Sequence, residues 1–158
     1  MSRRVDAGGQ ASLGDFGRID PTDRLFFAVF PDEAAALRIA ALAQELRAKH
    51  GLQGKALRTD RLHVTLHHLG DFPGDLWQSI ADRAAQAADR IRANAFDIAF
   101  DTASSFATRR QDRPFVLRSG VRSEPLHDLH ARLGIGLRVL GNGGRIQADF
   151  VPHVTMLY

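Results

Sequence analysis

Hydrophobic residues in this chain fall into short apolar runs that alternate with longer amphipathic stretches. The apolar runs carry aromatic and β-branched residues, which are typical of strands. A buried strand is therefore predicted at residues 25–30, and further strands at 61–70, 95–106, 114–117 and 151–158. Alternating Phe96, Ile98 and Phe100 predict one buried face for the strand at 95–106. The amphipathic stretches predict three helices, at residues 34–49, 75–92 and 124–140.

The order of these elements indicates an α+β or α/β fold. The predicted strands contain few valines and isoleucines, which favours antiparallel sheets with one open face over a doubly wound parallel sheet. Residues 1–22 mix glycine, serine and charged residues without periodicity, so we expect a flexible N-terminal tail there. We expect residues 23–158 to form a single domain. A turn is predicted at residues 141–144, whose glycines do not match a phosphate-binding loop.

Composition narrows the classes to which the protein can belong. The 158 residues are 44% apolar and 25% charged, as in an ordinary globular protein. Cysteine is absent, which excludes disulfides, thiolate zinc sites and a cysteine nucleophile. No apolar run approaches the roughly 20 residues of a membrane span, and no secretory signal follows Arg3 and Arg4, so we expect a cytoplasmic protein. The net charge of +3 permits an anionic partner without requiring one.

One tripeptide occurs twice, as His63-Val64-Thr65 and again at residues 153–155, each time in a strand-like context. Side chains two positions apart on a strand point to the same face. Each histidine therefore shares a face with its threonine, whereas the valine between them points into a core. Two such strands facing each other would hold two imidazoles and two hydroxyls around one small anion.

This set of groups suits the hydrolysis of a phosphodiester by in-line displacement. One neutral histidine accepts a proton from the attacking water, and the other, protonated, donates one to the leaving oxygen. An unperturbed imidazole pKa of about 6.5 makes both forms accessible at neutral pH. Thr65 and Thr155 can donate hydrogen bonds to the non-bridging oxygens. Neither a metal, a cofactor nor a covalent nucleophile is required.

The other histidines offer weaker alternatives. A single histidine on a strand is more often structural than functional, so the duplication carries the prediction. Strand alternation predicts that His67 shares the face of His63 and lines the cleft, and that His68 faces the opposite way. A metal site formed by His63, His67 and His153 is an alternative, but no Asp or Glu lies at a spacing typical of metal-binding motifs.

Three segments of the chain resemble the two-histidine (2H) phosphoesterase superfamily. They are the apolar run at residues 24–31, the first motif with its flanks at 62–70, and the second motif with its flank at 150–155. The chain is most similar to the bacterial RNA 2',3'-cyclic phosphodiesterase branch, also described as 2'-5' RNA ligase-like. The similarity covers residues 24–158 in order and spacing.

This resemblance implies an α+β fold with two pseudo-symmetric lobes of antiparallel sheet, flanked by helices, around a central cleft. It implies hydrolysis of an RNA-terminal 2',3'-cyclic phosphate to a 2'-phosphomonoester. In that reaction His63 protonates the departing 3' oxygen, His153 activates water, and Thr65 and Thr155 hold the phosphate. The expected partner is RNA or a nucleotide with a cyclic phosphate, and the protein is expected to be a monomer.

The chain departs from the family pattern in two places. Many relatives have an arginine three residues after the second threonine, where this chain has Tyr158. Relatives also continue beyond the second motif with further strands, which this sequence lacks. Two other functions remain open: a 2'-5' phosphodiesterase or RNA ligase, and a nucleotide-binding module of the same fold without turnover.

Overall fold

The structure is a computed structural model that describes residues 22–106, 113–139, 141 and 149–158. Within these residues lie five strands and three helices. The strands are β1 Thr22–Val29, β2 Val64–Pro73, β3 Thr102–Ser105, β4 Phe115–Arg118 and β5 His153–Leu157. The helices are α1 Glu33–His50, α2 Leu76–Ala88 and α3 Glu124–Val139. The predicted tail, apart from Thr22, and residues 142–144 of the predicted turn lie outside the described residues.

The strands form one antiparallel sheet in the order β1-β2-β5-β4-β3. β1 and β2 make one half of the sheet, and β5, β4 and β3 make the other. The two halves join at the centre, where Val64 of β2 pairs with Val154 of β5. This arrangement confirms the predicted α+β fold, with a gap opening between the halves beyond that pair.

Two hydrophobic clusters hold the helices against the sheet. The first joins Ala36 and Ala43 of α1 to Val64, Val154 and Met156 of the central strands. The second joins α2 and α3 to β2, and its fully buried members include Leu126 and Leu137. Among the described helices, none is long and apolar enough to cross a membrane.

Helix α1 begins and ends within one residue of the helix predicted at residues 34–49. The Asp32 side chain accepts a hydrogen bond from the Ala35 amide at 2.7 Å, which satisfies an amide of the first turn. Gly51 ends the helix with a φ of 62°, a left-handed conformation that glycine adopts without a steric penalty.

The predicted strand at residues 95–106 is wrong over most of its length. Only Thr102–Ser105 pairs with a neighbouring strand. Phe96 and Ile98 instead pack against the second hydrophobic cluster, and Phe100 packs against the first. The alternating apolar pattern therefore reflects side chains that pack against the core. A segment that has no strand partner can show the same pattern.

The second motif lies inside the sheet, with neighbours on both sides. β4 pairs along one side of β5. On the other side, beyond the Val64 pair, the Lys55 amide donates to the Tyr158 carbonyl at 2.6 Å, and the Tyr158 amide donates to the Lys55 carbonyl at 3.1 Å. The Leu57 amide donates to the Met156 carbonyl at 2.9 Å. The strand that carries His153 is thus held by backbone hydrogen bonds along both edges.

Candidate active site

The two motifs lie side by side on the central strands. Val64 and Val154 are paired and buried, at 3% and 2% exposure, in the first hydrophobic cluster. The flanking histidines and threonines are therefore on the opposite face, as predicted, and all four are partly exposed. The antiparallel register sets each histidine across from the other motif's threonine. At ordinary strand spacing, the two histidines, which lie on a diagonal, are about 7–8 Å apart, with their Cβ atoms somewhat closer.

Both histidines are held by the same backbone contact. His63 Nδ1 lies 2.7 Å from the Arg61 carbonyl oxygen, and His153 Nδ1 lies 2.8 Å from the Val151 carbonyl oxygen. Because a carbonyl can only accept, Nδ1 carries the hydrogen in each ring. In the neutral form, Nε2 is then the atom with the free lone pair. The two imidazoles therefore have the same tautomer, and each presents Nε2 for proton transfer.

Aromatic rings flank each of these histidines. Phe26 stacks on His63 at a centroid distance of 5.0 Å, and Phe30 lies 5.8 Å from the same ring. On the other side, the ring of His153 meets that of Phe106 edge to face at 4.8 Å. Phe26 and Phe30 are 38% and 61% exposed. The sequence predicts a buried strand for this apolar run, so these exposed rings were missed as site residues.

The predicted orientation of His67 is wrong because β2 contains a bulge. Thr65 pairs with Ala28 and His67 pairs with Phe27, so Leu66 has no partner across the ladder. The extra residue reverses the alternation of side chains beyond it. His67 therefore lies on the helix side of the sheet.

There His67 is 4% exposed, and its Nε2 donates to the His130 carbonyl oxygen at 2.8 Å. The set of His63, His67 and His153 is consequently not assembled. No group of three potential metal-ligating side chains occurs among the residues that the structure describes.

The same bulge brings His68 to the face of the sheet that carries His63 and Thr65. His68 pairs in register with Phe26, and its Nε2 lies 3.6 Å from a carboxylate oxygen of Asp71. A hydrogen bond from Arg24, at 2.7 Å, lowers the pKa of the Asp71 carboxyl. An Arg-Asp-His cluster thus lies beyond Thr65 on the same face of β2.

An arginine stands beside the second motif. Arg118 of β4 pairs in register with His153, so both side chains project from the same face of the sheet. The side chain is exposed, and none of the ion pairs within the described residues involves it. Sequence reasoning missed Arg118 because no local pattern reveals which strand will border the second motif.

A cavity of about 290 Å³ opens next to these groups. It lies in the gap between β2 and residues 149–153, and its lining includes Thr65 and His153 of the two motifs. Deeper in the gap, His67, His130 and Phe150 also line it. The cavity therefore leads from the paired motifs toward helix α3.

The LigT-like phosphoesterase family model matches residues 29–116, more than half of the chain. The chain belongs to this family. E. coli LigT complexed with 3'-AMP is 27% identical, with a TM-score of 0.61 over 86% of this chain and 71% of that chain. A structure described as a phosphoesterase is 28% identical, with a TM-score of 0.62 over 87% of this chain and 72% of the other.

A more distant likeness extends to the protein TT0787 of Thermus thermophilus, which is 21% identical with a TM-score of 0.56 over 85% of this chain and 73% of that chain. At this identity the likeness concerns the fold alone. None of the curated proteins matches the chain.

The LigT-like family match covers the first motif directly. His63 and Thr65 fall within the matched residues, whereas His153 and Thr155 lie beyond them. The second motif joins the site through its register with the first and through its equivalent histidine contact. Tyr158 occupies the position where the resemblance implies an arginine, and Arg118 is the cation that the structure sets beside His153.

Proposed function

We propose that the protein hydrolyses terminal 2',3'-cyclic phosphates of RNA to 2'-phosphomonoesters. The observation that supports this most is the equivalence of the two histidines. Each is anchored through Nδ1 to the carbonyl two residues earlier, and each leaves Nε2 for a ligand. An acid and a base of the same kind, set on one face of adjacent strands, suit a displacement at a phosphorus atom held between them.

The proton transfers follow from these positions. His153, neutral, accepts a proton from water through Nε2 as the water oxygen bonds to phosphorus. The bond from phosphorus to the 3' oxygen breaks, and His63, protonated, donates its Nε2 proton to that oxygen. The phosphate stays on the 2' oxygen as a monoester. We assign the acid to His63 and the base to His153, as the family resemblance implies.

The threonines would act on the phosphate itself. Each hydroxyl can donate a hydrogen bond to a non-bridging oxygen, where negative charge increases in the transition state. Thr65 lies across from His153, and Thr155 lies across from His63, so the phosphate would meet a donor on either side. No metal or cofactor takes part in the proposed steps.

Two further observations favour a nucleotide substrate. Crystal structures exist of E. coli LigT complexed with 3'-AMP, with NADP+ and with ATP, so this relative accommodates nucleotides. In the present chain, Arg118 offers a guanidinium beside His153, and a guanidinium can bind a phosphate through paired hydrogen bonds. We propose that it contacts the RNA phosphate next to the cyclic end. The expectation of a cytoplasmic monomer stays a prediction.

The test compares variants on a 2',3'-cyclic nucleotide. His63→Ala and His153→Ala should each lower kcat by about 10²–10⁴-fold, because each removes one partner of the proton transfer. His50→Ala is the matched control, since His50 is an exposed imidazole at the end of α1. Near-normal kcat in either site variant would refute the proposed chemistry. Nucleotide binding by a folded protein without turnover would indicate a binding module instead.

A further inference from the structure

Stacked rings line the cavity beside the paired motifs. The rings of His67, His130 and Phe150 form a continuous stack. His130 lies in the middle, 4.1 Å from His67 and 4.0 Å from Phe150 between ring centroids. Both faces of the His130 ring are covered, so its edge, which carries the nitrogens, is the part left to face the cavity.

The two imidazoles of the stack are buried polar groups. His67 is 4% exposed and His130 is 9% exposed, yet both line the cavity. Burial lowers the pKa of His67, and it lowers the pKa of His130 to about 4. Both rings are therefore neutral at pH 7, and neither attracts a phosphate as a cation would.

The remaining charge in the lining also disfavours a phosphate. No lysine or arginine within the described part of the chain lines the cavity, whereas the carboxylate-bearing Asp149 does. His68, near the mouth, faces the Asp71 carboxylate. Among the described residues, the lining of this gap is thus uncharged or negative.

Hydrogen bonding defines the ligand further. Because His67 donates from Nε2 to a carbonyl oxygen, its Nδ1 in the neutral ring is a lone-pair acceptor. The Asp149 carboxylate is also an acceptor, and the neutral His130 ring offers one N–H donor and one acceptor. A ligand that satisfies both His67 and Asp149 must bring N–H donors. Leaving the His67 acceptor unpaired is costly because that ring is buried, whereas Asp149 is exposed.

We propose that this cavity is a subsite for the terminal nucleobase and that it selects bases with an exocyclic amino group. The inference rests on the proposed function, which sets the phosphate at the paired motifs. From there the ribose directs the base into the gap between β2 and residues 149–153. Cytosine can donate hydrogen bonds from its 4-amino group to these acceptors. Uracil presents a carbonyl oxygen at the same position and leaves the acceptors unpaired.

The test uses cytosine and uracil because they differ at that edge. We expect kcat/KM for 2',3'-cyclic CMP to exceed that for 2',3'-cyclic UMP by about tenfold or more, since a site built for hydrogen bonds rejects an analogue that cannot make them. Asp149→Asn supplies an amide that can donate to the uracil oxygen. In this variant the preference should fall at least about fivefold, through a higher KM for the CMP substrate.

The control and the binding measurement separate the two proposals. Asp82→Asn changes an exposed carboxylate of α2 and should keep the preference for cytosine. Calorimetric titration should show that the wild type binds 2'-CMP more tightly than 2'-UMP. In Asp149→Asn this difference in affinity should shrink. If this ranking holds but no cyclic nucleotide is turned over, the subsite stands and the catalytic proposal fails. Equal turnover or equal binding of the two bases would overturn the subsite and indicate that the cavity holds water.

Discussion

Lowering the pH from 7 to 5 should destabilise the protein through His130, the middle ring of the aromatic stack. Burial lowers the pKa of His130 to about 4, and the neighbouring rings of His67 and His127 act in the same direction. In the unfolded chain the pKa returns to about 6.5. The unfolded state therefore binds the proton more readily, so stability is present above pH 6.5 and is lost as the pH falls toward 4.

The size of this loss follows from the two pKa values. With a folded pKa of about 4 and an unfolded pKa of about 6.5, the free energy of unfolding falls by about 2 kcal/mol between pH 7 and pH 5. Water that reaches part of the ring reduces the effect, so we expect about 1–2 kcal/mol. For a protein of this size, Tm should fall by about 2–8 °C from this group alone.

Denaturant titrations at pH 7 and pH 5 measure this loss in the wild type and in His130→Phe. The phenylalanine keeps a ring in the stack but removes the proton site. Between the two pH values, the free energy of unfolding of His130→Phe should therefore fall by about 1–2 kcal/mol less than that of the wild type. Paired carboxylates titrate alike in both proteins and cancel in the difference. His50→Phe, at an exposed helix end, should behave as the wild type does. An equal pH dependence in wild type and His130→Phe would refute the reasoning.

Three shorter predictions concern the site. Thr65→Val and Thr155→Val should each lower kcat/KM by about 10–100-fold, because each removes one hydrogen bond to a charged oxygen, while the circular dichroism spectrum stays unchanged. Arg118→Ala should weaken binding of an RNA oligomer and reduce its salt slope by about 0.7, whereas Arg122→Ala, whose guanidinium is paired with Glu124, should not. EDTA should leave turnover unchanged, because the histidines supply both acid and base; a loss that zinc restores would contradict this.

The paired motifs were predictable because they depend on local geometry. Alternation along a strand places Val64 in the core and His63 and Thr65 together on the opposite face, and the duplicated pattern predicts the same for the second motif. The two ends of helix α1 likewise follow from local signals, the N-capping Asp32 and the helix-ending Gly51.

Features that depend on pairing between distant segments could not be predicted in this way. The bulge at Leu66 exchanges the faces of His67 and His68, and nothing in the local sequence indicates an extra residue in the ladder. Arg118 lies more than thirty positions before His153, so its place in the site appears only when β4 is seen to border β5. The stack of His67, His130 and Phe150 similarly joins three separate elements.

Identification of the reaction product tests the central claim most directly. An RNA oligomer that ends in a 2',3'-cyclic phosphate is incubated with the purified protein, and the end group is identified by ³¹P NMR and by chromatography against 2'- and 3'-phosphate standards. We expect complete conversion to the 2'-phosphomonoester by the wild type and none by His63→Ala or His153→Ala within the same time. A 3'-phosphate product would contradict the proposed departure of the 3' oxygen. A cyclic end that the wild type leaves intact would contradict the assignment of these two histidines as a phosphodiesterase site.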